Sequence, residues 1–190
     1  MGKIFLISDT HFWHDNIVTY CGRPFEDGAD MTEKMVGLWN ERVGADDEVY
    51  VVGDFILGDP KLTEETLMRL NGHIVLVRGN HDTKAKLDVY ARYPDKIEVC
   101  DTAYIPYKGL WFVLCHFPLT NPEFLAMVQQ DNSEVVVVHG HVHNKVPFYT
   151  KEYHSFNVSA DVVDFRPVPL HHLWELVRED FMEKGVWRGK

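Results

Sequence analysis

A short aliphatic run passes directly into a glycine and three polar residues in the segment Ile74-Val75-Leu76-Val77-Arg78-Gly79-Asn80-His81-Asp82. The aliphatic run predicts a buried β-strand, and the glycine predicts a sharp turn where that strand ends. Open α/β sheets bind their ligands in the crevice beyond the carboxyl ends of the strands. The segment therefore predicts an α/β fold with a functional site at one edge of a sheet.

Four other apolar runs lead into polar residues in the same way. Residues 4–7 precede Asp9 and His11, 49–52 precede Gly53-Asp54, 112–114 precede His116, and 135–138 precede Gly140-His141-Val142-His143. The glycines of these segments each precede a polar candidate, as expected where the backbone turns sharply and approaches a bound ion. Aspartate, asparagine and histidine together are ligands typical of Mn, Fe, Zn, Co or Ni rather than of Ca or Mg. The pattern predicts a transition-metal site.

Apolar residues at helical spacing predict helices between the strands. These helices cover residues 31–43, with Asp30 or Thr32 as the N-cap, and residues 62–70, 84–90, 122–130 and 170–182. Further β structure is predicted at 97–114, broken at Pro106 and Gly109, and as short strands at 146–149 and 156–158. The alternation of strands and helices favours an α/β fold over an all-β sandwich or a helix bundle.

The composition suits a globular protein: 190 residues are 45% hydrophobic and 25% charged, and we expect one domain over residues 1–190. No apolar run reaches the roughly 18 residues that a membrane span requires. The N-terminal residues lack the pattern of a signal peptide. Cys21, Cys100 and Cys115 show no paired spacing, which is typical of reduced thiols. We therefore expect a cytoplasmic protein.

The formal net charge of -10 limits the classes of partner. Nucleic acids and anionic membranes bind clustered lysine and arginine, so neither is expected as a partner here. An acidic protein that binds an anionic phosphate needs a local positive charge, and two divalent cations would supply about four charges at one point. The composition makes no prediction of the oligomeric state.

The polar segments, taken together, resemble the calcineurin-like metallophosphoesterase family, in its small single-domain form of bacterial and phage type. The resemblance rests on Asp9-x-His11, Gly53-Asp54, Gly79-Asn80-His81-Asp82, His116 and Gly140-His141-x-His143, which occur in the family's order over residues 9–143. Any one block arises easily by chance, whereas all five after predicted strands are specific. The resemblance implies a sandwich of two mixed β-sheets flanked by helices.

The resemblance also implies a ligand set for two divalent transition-metal ions, with manganese preferred and Fe, Zn, Co or Ni as alternatives. The first ion would be held by Asp9, His11, Asp54 and His143, and the second by Asp54, Asn80, His116 and His141. Asp54 would bridge the two ions, which lie roughly 3.5 to 4 Å apart in such centres. A bridging hydroxide would attack phosphorus in line, with His81 as the general acid and Asp82 orienting His81 by a hydrogen bond.

The expected function is hydrolysis of a small phosphate ester or nucleotide, with a phosphodiester favoured. A phosphomonoesterase or a protein phosphatase could use the same site, and a nuclease is disfavoured by the acidic charge balance. A non-catalytic metal-binding scaffold is the alternative of another class. Four residues near the motifs are weaker candidates for phosphate contacts: Arg78, Arg23, His14 and Asn16. His139 is expected behind the ligands at most, and Cys115 as a buried, inert thiol because neighbouring strand residues point to opposite faces.

Overall fold

A computed structural model describes residues 2–119 and 135–183. Within these ranges the strands form two five-stranded sheets, both of mixed direction, with helices packed outside them. This architecture confirms the predicted α/β sandwich of two mixed sheets. The predicted helix at 122–130 lies outside the described residues.

The first sheet supplies three of the polar segments. In spatial order it contains β10 (Val168–Pro169), β1 (Ile4–Ile7), β2 (Glu48–Val51), β3 (His73–Val77) and β4 (Ile97–Cys100). Strands β1 to β4 run parallel, and β10 pairs antiparallel with β1 at one edge. Because parallel strands end at the same edge, the residues after β1, β2 and β3 emerge side by side.

The second sheet supplies the remaining segments. Its spatial order is β5 (Ala103–Tyr107), β6 (Leu110–Leu114), β7 (Val135–His139), β9 (Ser155–Asn157) and β8 (Tyr149–Thr150). Strand β7 is buried along its whole length and runs parallel to both β6 and β9. An isolated bridge between Ser8 and Ser159 joins the end of β1 to the end of β9, so the two sheets meet where both groups of polar segments begin.

The helices in the described residues are α1 (Asp15–Cys21), α2 (Gly28–Asn40), α3 (Pro60–Arg69), α4 (Lys84–Tyr90) and α5 (Leu170–Glu183). Helix α3 begins where the carboxylate of Asp59 accepts from the backbone N–H groups of Lys61 and Leu62. None of these helices has the length and apolarity that would let it cross a membrane.

The structure corrects two details of the predicted elements. Helix α2 begins three residues earlier than predicted, since Asp27 rather than Asp30 or Thr32 is its N-cap and accepts from the Asp30 N–H at 2.8 Å. Thr32 lies inside the helix and donates to the Gly28 carbonyl. Pro106 does not break the β structure: it lies within β5, an edge strand, where a missing N–H is tolerated. Helix α1 and strand β10 were not predicted.

An aromatic cluster supports the turn that follows β2. Phe55 is fully buried, with its ring 5.9 Å from Phe12, 6.1 Å from Tyr90 and 6.2 Å from Trp39. Burial of a side chain of this size stabilises the fold by roughly 1.5 to 3 kcal/mol. The cluster therefore anchors the backbone directly after Asp54.

Candidate metal centre

The ends of the two sheets bring every predicted metal-ligating residue into one cluster. Asp9 and His11 follow β1, Asp54 follows β2, Asn80 follows β3, His116 follows β6, and His141 and His143 follow β7. Three side-chain groups in this region have potential ligand atoms within 4.8 Å of one another: Asp9 with His11 and His143, Asp9 with Asp54 and His116, and Cys21 with His143 and Asp161.

Asp54 lies at the centre of the cluster. Its Oδ2 atom is 3.6 Å from Nε2 of His11, 3.5 Å from Nε2 of His116 and 4.0 Å from Nε2 of His81. Its other oxygen, Oδ1, accepts from the backbone N–H of His81 at 2.8 Å. One carboxylate oxygen thus faces imidazoles from both sheets while the other is held by the backbone.

The cluster divides into two sets that share Asp54. The inner set consists of Asp9, His11, Asp54 and His143, and Oδ1 of Asp9 lies 3.9 Å from Nε2 of both histidines. Asp9, His11 and Asp54 are buried.

The outer set consists of Asp54, Asn80, His116 and His141. The side-chain oxygen of Asn80 is 3.1 Å from Nε2 of His116 and 3.1 Å from Nδ1 of His141. Asn80 and His141 are exposed, whereas His116 is buried.

Backbone strain is concentrated at these residues. Among the described non-glycine residues with positive φ are Asp9 (52°), His11 (49°), Asp54 (54°), His141 (70°) and His143 (50°). The left-handed region is unfavourable for residues with a side chain and costs on the order of 1 to 3 kcal/mol each, so such conformations persist only where the surroundings enforce them. The fold holds these five side chains in place at a cost in stability.

Two of the predicted glycines are required by close packing against the carboxylates. A Cβ atom on Gly79 would overlap Oδ1 of Asp54, and one on Gly140 would overlap Oδ2 of Asp9 and Oγ of Ser8. Any larger residue at either position would displace a carboxylate of the cluster. The expected close approach of backbone to site is confirmed here.

Asp9 is held mainly through one oxygen, Oδ2, while Oδ1 shares the His141 N–H at 3.1 Å. Its Oδ2 accepts from the hydroxyls of Ser8 at 2.6 Å and Ser159 at 2.8 Å, and from the backbone N–H of His141 at 2.9 Å. These bonds leave Oδ1 as the oxygen that faces His11 and His143.

Asp161 and Arg23 lie behind the inner set. The Nδ1 atom of His143 is 2.8 Å from Oδ2 of Asp161, and the Arg23 guanidinium binds both oxygens of Asp161 at 2.8 Å. Arg23 also donates to the carbonyls of Asp9 and Thr10. A carboxylate on the far nitrogen of a metal-binding histidine fixes its tautomer and orientation.

The sequence interpretation missed Asp161 and misplaced Arg23. Arg23 was a candidate for a phosphate contact, but it is 5% exposed and its guanidinium is engaged with Asp161 and two carbonyls. Ser159 and Asp161 follow β9 just as the predicted ligands follow their strands. This repeated pattern of polar residues just after a strand could have identified Asp161 from the sequence.

Asp82 does not have the predicted role. Its carboxylate accepts from the backbone N–H groups of Asp54 at 2.9 Å, Phe55 at 3.1 Å and Gly79 at 2.8 Å. Within the described part of the chain, its hydrogen-bond partners are these amides and not the His81 ring. A carboxylate suits this position because three converging N–H donors need an acceptor-only group. Asp82 therefore fixes the two turns that carry Asp54 and Asn80.

The His81 ring lies at the mouth of the cluster. Its side chain is 51% exposed, and its ring is 5.5 Å from that of His11 in an edge-on arrangement. The backbone of His81 is fixed from both sides, since its N–H donates to Asp54 and its carbonyl accepts from Nζ of Lys86 at 3.0 Å.

His11 provides a test of whether the cluster fits a metal ion. Burial lowers the pKa of His11 to about 2, so its ring is neutral and able to offer a lone pair. Across residues 2–119 and 135–183, neither of its ring nitrogens has a hydrogen-bond partner although both are buried. Buried polar atoms are rarely left unpaired, and a cation at Nε2 would supply a partner. The donor set therefore fits a divalent metal.

The carboxylate of Asp54 stays ionised in this environment. Burial opposes its ionisation, but the contact with His116, the hydrogen bond from the His81 N–H and the nearby His11 together outweigh burial and lower the pKa of Asp54 to about 2. For His116 burial again opposes the charged form, yet contact with Asp54 raises the pKa of the imidazole. Each partner favours the charged form of the other.

The remaining candidates occupy the surroundings of the cluster. Arg78 pairs with Asp101 at 2.8 Å, and Nδ1 of the buried His139 is 3.0 Å from the Gly140 carbonyl. Asn16 is exposed on α1. The ring of His14 is 5.4 Å from that of His11. Cys115 is half-buried rather than buried as predicted, because it lies just beyond the last residue of β6. Its partial burial still raises the pKa of the thiol to about 11, which disfavours the reactive thiolate.

The chain matches known proteins over most of its length. The model of the calcineurin-like phosphoesterase superfamily domain matches residues 3–158. An uncharacterized protein of Methanocaldococcus jannaschii is 37% identical over 185 residues, which cover 94% of this chain and 93% of that protein.

Two solved structures share the fold. A protein of unknown function from Aquifex aeolicus has a TM-score of 0.73 at 23% identity, covering 93% of this chain and 100% of that one. A structure described as a novel archaeal phosphodiesterase has a TM-score of 0.51 at 22% identity, covering 83% and 82%. The match to residues 3–158 confirms the resemblance: the chain belongs to the calcineurin-like phosphoesterase superfamily and is a metal-dependent phosphoester hydrolase.

Proposed function

We propose that the chain hydrolyses a small phosphodiester at a centre of two divalent cations, with manganese preferred and His81 as the general acid. The position of Asp54 carries this proposal. Its Oδ2 lies between Nε2 of His11 at 3.6 Å and Nε2 of His116 at 3.5 Å, so one carboxylate is available to both sets. The inner set would hold the first cation and the outer set the second.

Two cations bound here would lower the pKa of water towards about 7 and would neutralise charge on the phosphate oxygens. Other residues of the protein fix the metal-ligating side chains in position before any cation binds. Ser8, Ser159 and the His141 N–H fix Asp9, and Asp82 fixes the turn that carries Asp54. A site held in advance need not reorganise as charge develops, which is the main source of electrostatic catalysis.

His81 is proposed to protonate the leaving oxygen. Its ring is exposed to incoming substrate, while its peptide is fixed by Asp54 and Lys86. The Nε2 atom lies 4.0 Å from Oδ2 of Asp54, within reach of a phosphate ester bound over that carboxylate. General acid catalysis by a side chain held in this way typically contributes about 10² to 10⁴ in rate.

The charges around the centre favour a diester over a monoester. A phosphomonoester carries two negative charges near neutral pH and a phosphodiester carries one. Both arginines near the centre already have carboxylate partners, Arg23 in Asp161 and Arg78 in Asp101. Lys86 is directed to the His81 carbonyl. Two divalent cations would supply about four positive charges, of which Asp9 and Asp54 would offset two and a bound hydroxide a third. The one charge that is left matches a monoanion.

For the compartment we propose the cytoplasm, since the three cysteines are free thiols.

Parallel assays of metal-stripped protein would test the proposal. Manganese should restore turnover of bis(4-nitrophenyl) phosphate, and this turnover should exceed that of 4-nitrophenyl phosphate at equal concentration. A clear preference for the monoester would overturn the diester assignment. Absence of turnover with any divalent metal, from protein shown by calorimetry to bind that metal, would favour the non-catalytic scaffold.

A further inference from the structure

A groove adjoins the outer set, since Asn80 and His116 are among its lining residues. Its volume is about 640 Å³, within the range of small-molecule sites. Two walls contribute different chemistry. The polar wall contains Arg78, Asp101 and Thr102, and the apolar wall contains Cys115, Phe117 and Leu119. The floor includes Asn80 and His116, so a molecule in the groove would be continuous with a phosphate at the centre.

Phe117 presents a fixed aromatic face to this groove. The side chain is 52% exposed, so part of the ring surface is open to a ligand. Its ring centroid is 4.6 Å from that of His141 and 5.1 Å from that of His116. The Cys115 thiol donates to the Phe117 carbonyl at 3.3 Å, which fixes the backbone that carries the ring. The aromatic face is therefore in place before any ligand arrives.

The charged side chains of the groove already have partners. Nη2 of Arg78 lies 2.8 Å from Oδ1 of Asp101, and the Asp82 carboxylate is occupied by three backbone amides. Among the described lining residues, Arg78 is the cationic side chain, and this carboxylate already offsets its charge. A polyphosphate or a second anionic group would meet no unpaired cation here, whereas an uncharged group would lose little on entry.

We propose that this groove binds one ester group of the substrate, that this group carries a flat uncharged ring such as a nucleobase, and that the ring stacks on Phe117. The assignment of the ester group rests on the proposed phosphodiesterase function. Stacking on an aromatic side chain tolerates any base, because every base has a π-face. The N–H groups of Arg78 that do not face Asp101 and the hydroxyl of Thr102 would meet the polar edge of the ring. The substrate class is thus a nucleoside phosphodiester.

Direct binding of adenosine tests the groove without relying on turnover. Saturation-transfer NMR on the zinc-loaded chain should show stronger transfer to the base protons than to the ribose protons. Phe117→Ala should raise the Kd of adenosine about tenfold, and Phe117→Trp should leave it within about threefold. Tyr104→Ala is the matched control, since Tyr104 is an exposed aromatic residue of β5 outside the groove. Failure to bind adenosine, or equal binding by wild type and Phe117→Ala, would overturn the proposal.

Turnover of two matched diesters then links the groove to the reaction. Adenosine 5′-(methyl phosphate) and the methyl phosphodiester of glycerol differ in the ring and share the reacting group. Phe117→Ala should raise KM for the adenosine ester about tenfold with little change in kcat, and should leave the glycerol ester unchanged. An equal loss on both esters would show that Phe117 acts on His116 and His141 instead. If neither ester is hydrolysed while Phe117-dependent adenosine binding persists, the hydrolytic function fails and the ring-binding groove stands.

Discussion

The inner and outer sets share Asp54 but differ in how firmly their other side chains are held. In the inner set, His143 contacts Asp161, and Arg23 donates two hydrogen bonds to the carboxylate of Asp161. Asp9 accepts hydrogen bonds from two serine hydroxyls. In the outer set, Nδ1 of His116 is 2.9 Å from the Val52 carbonyl. The exposed His141 contacts the side-chain oxygen of Asn80, which is itself exposed.

This difference suggests a division of roles between the sets. A buried set with a second layer of hydrogen bonds should bind its cation tightly and keep it. The outer set includes the exposed side chains of Asn80 and His141, so it should bind its cation more weakly and admit the substrate. The groove beside Phe117 opens from the outer set, in agreement with this division.

The largest effect is expected where the two sets meet. Asp54→Asn removes the negative charge that both cations would share, so both affinities should fall together and kcat should fall at least about a thousandfold. Calorimetric titration with manganese alongside the diester assay measures both quantities. Asp88→Asn is the control, because Asp88 pairs with Lys84 on the surface. Loss of one binding step with the other intact would show that Asp54 belongs to a single set.

The next effect separates catalysis from metal binding in either set. His81→Ala should lower kcat by about 10² or more while leaving both metal affinities unchanged, because His81 is proposed to give a proton rather than to bind a cation. The loss should be smaller for a 4-nitrophenyl ester, whose leaving group needs little protonation. His73→Ala, at a surface histidine beside Glu98, is the matched control. A fall in metal affinity would assign His81 to the ligands instead.

A change behind the inner set should act on that set alone. Asp161→Asn removes the carboxylate charge that faces Nδ1 of His143. It should lower the affinity of the tighter manganese site by about 10- to 100-fold and leave the affinity of the weaker site unchanged. It also leaves Arg23 buried without its carboxylate, so thermal stability should fall. Asp101→Asn, which unpairs Arg78 on the outer side, should leave the tighter step unchanged. Equal weakening of both steps would remove the distinction between the sets.

The smallest effect is a pH dependence of stability in metal-free protein. Burial opposes ionisation of Asp161, but its hydrogen bonds with His143 and Arg23 outweigh burial and lower its pKa to about 2. An unfolded aspartate has a pKa of about 3.9. The folded value is the lower one, so this carboxylate stabilises the fold above about pH 4, and the stabilisation is lost as the pH falls towards about 2.

Urea unfolding between about pH 5 and pH 2 would measure this contribution. Across that window the wild type should lose on the order of 2 kcal/mol more stability than Asp161→Asn. Parallel curves for the two proteins would mean that Asp161 does not hold the inner set as described.

Much of the centre was predictable because its ligands follow strand ends. The sequence shows where each strand ends, and the ends of parallel strands meet at one edge of a sheet. Residues 74–77 and 135–138 read as buried strands, and the polar residues after them converge as expected. Helix α4 was predicted at its observed bounds, Lys84–Tyr90. These features depend on local patterns of a few residues.

The errors at the site, unlike those at the α2 N-cap and Pro106, share a different physical cause. The roles of Asp82, Arg23 and Asp161 depend on contacts between residues far apart in the chain. Arg23 meets Asp161 across 138 positions, and Asp82 meets Asp54 across 28. No periodicity or spacing carries such information. The sequence shows a charged residue near a motif, but only the fold decides whether it faces the substrate or another side chain.

The contact between the two sheets at Ser8 and Ser159 links metal binding to the stability of the fold. Asp9, His11, Asp54 and Asn80 follow strands of one sheet, and His116, His141 and His143 follow strands of the other. Cations bound as proposed would cross-link the sheets, and a ligand at about 100 times its Kd adds roughly 2.7 kcal/mol to folding stability. Metal starvation would then expose the chain to proteases, so its abundance would follow the supply of metal.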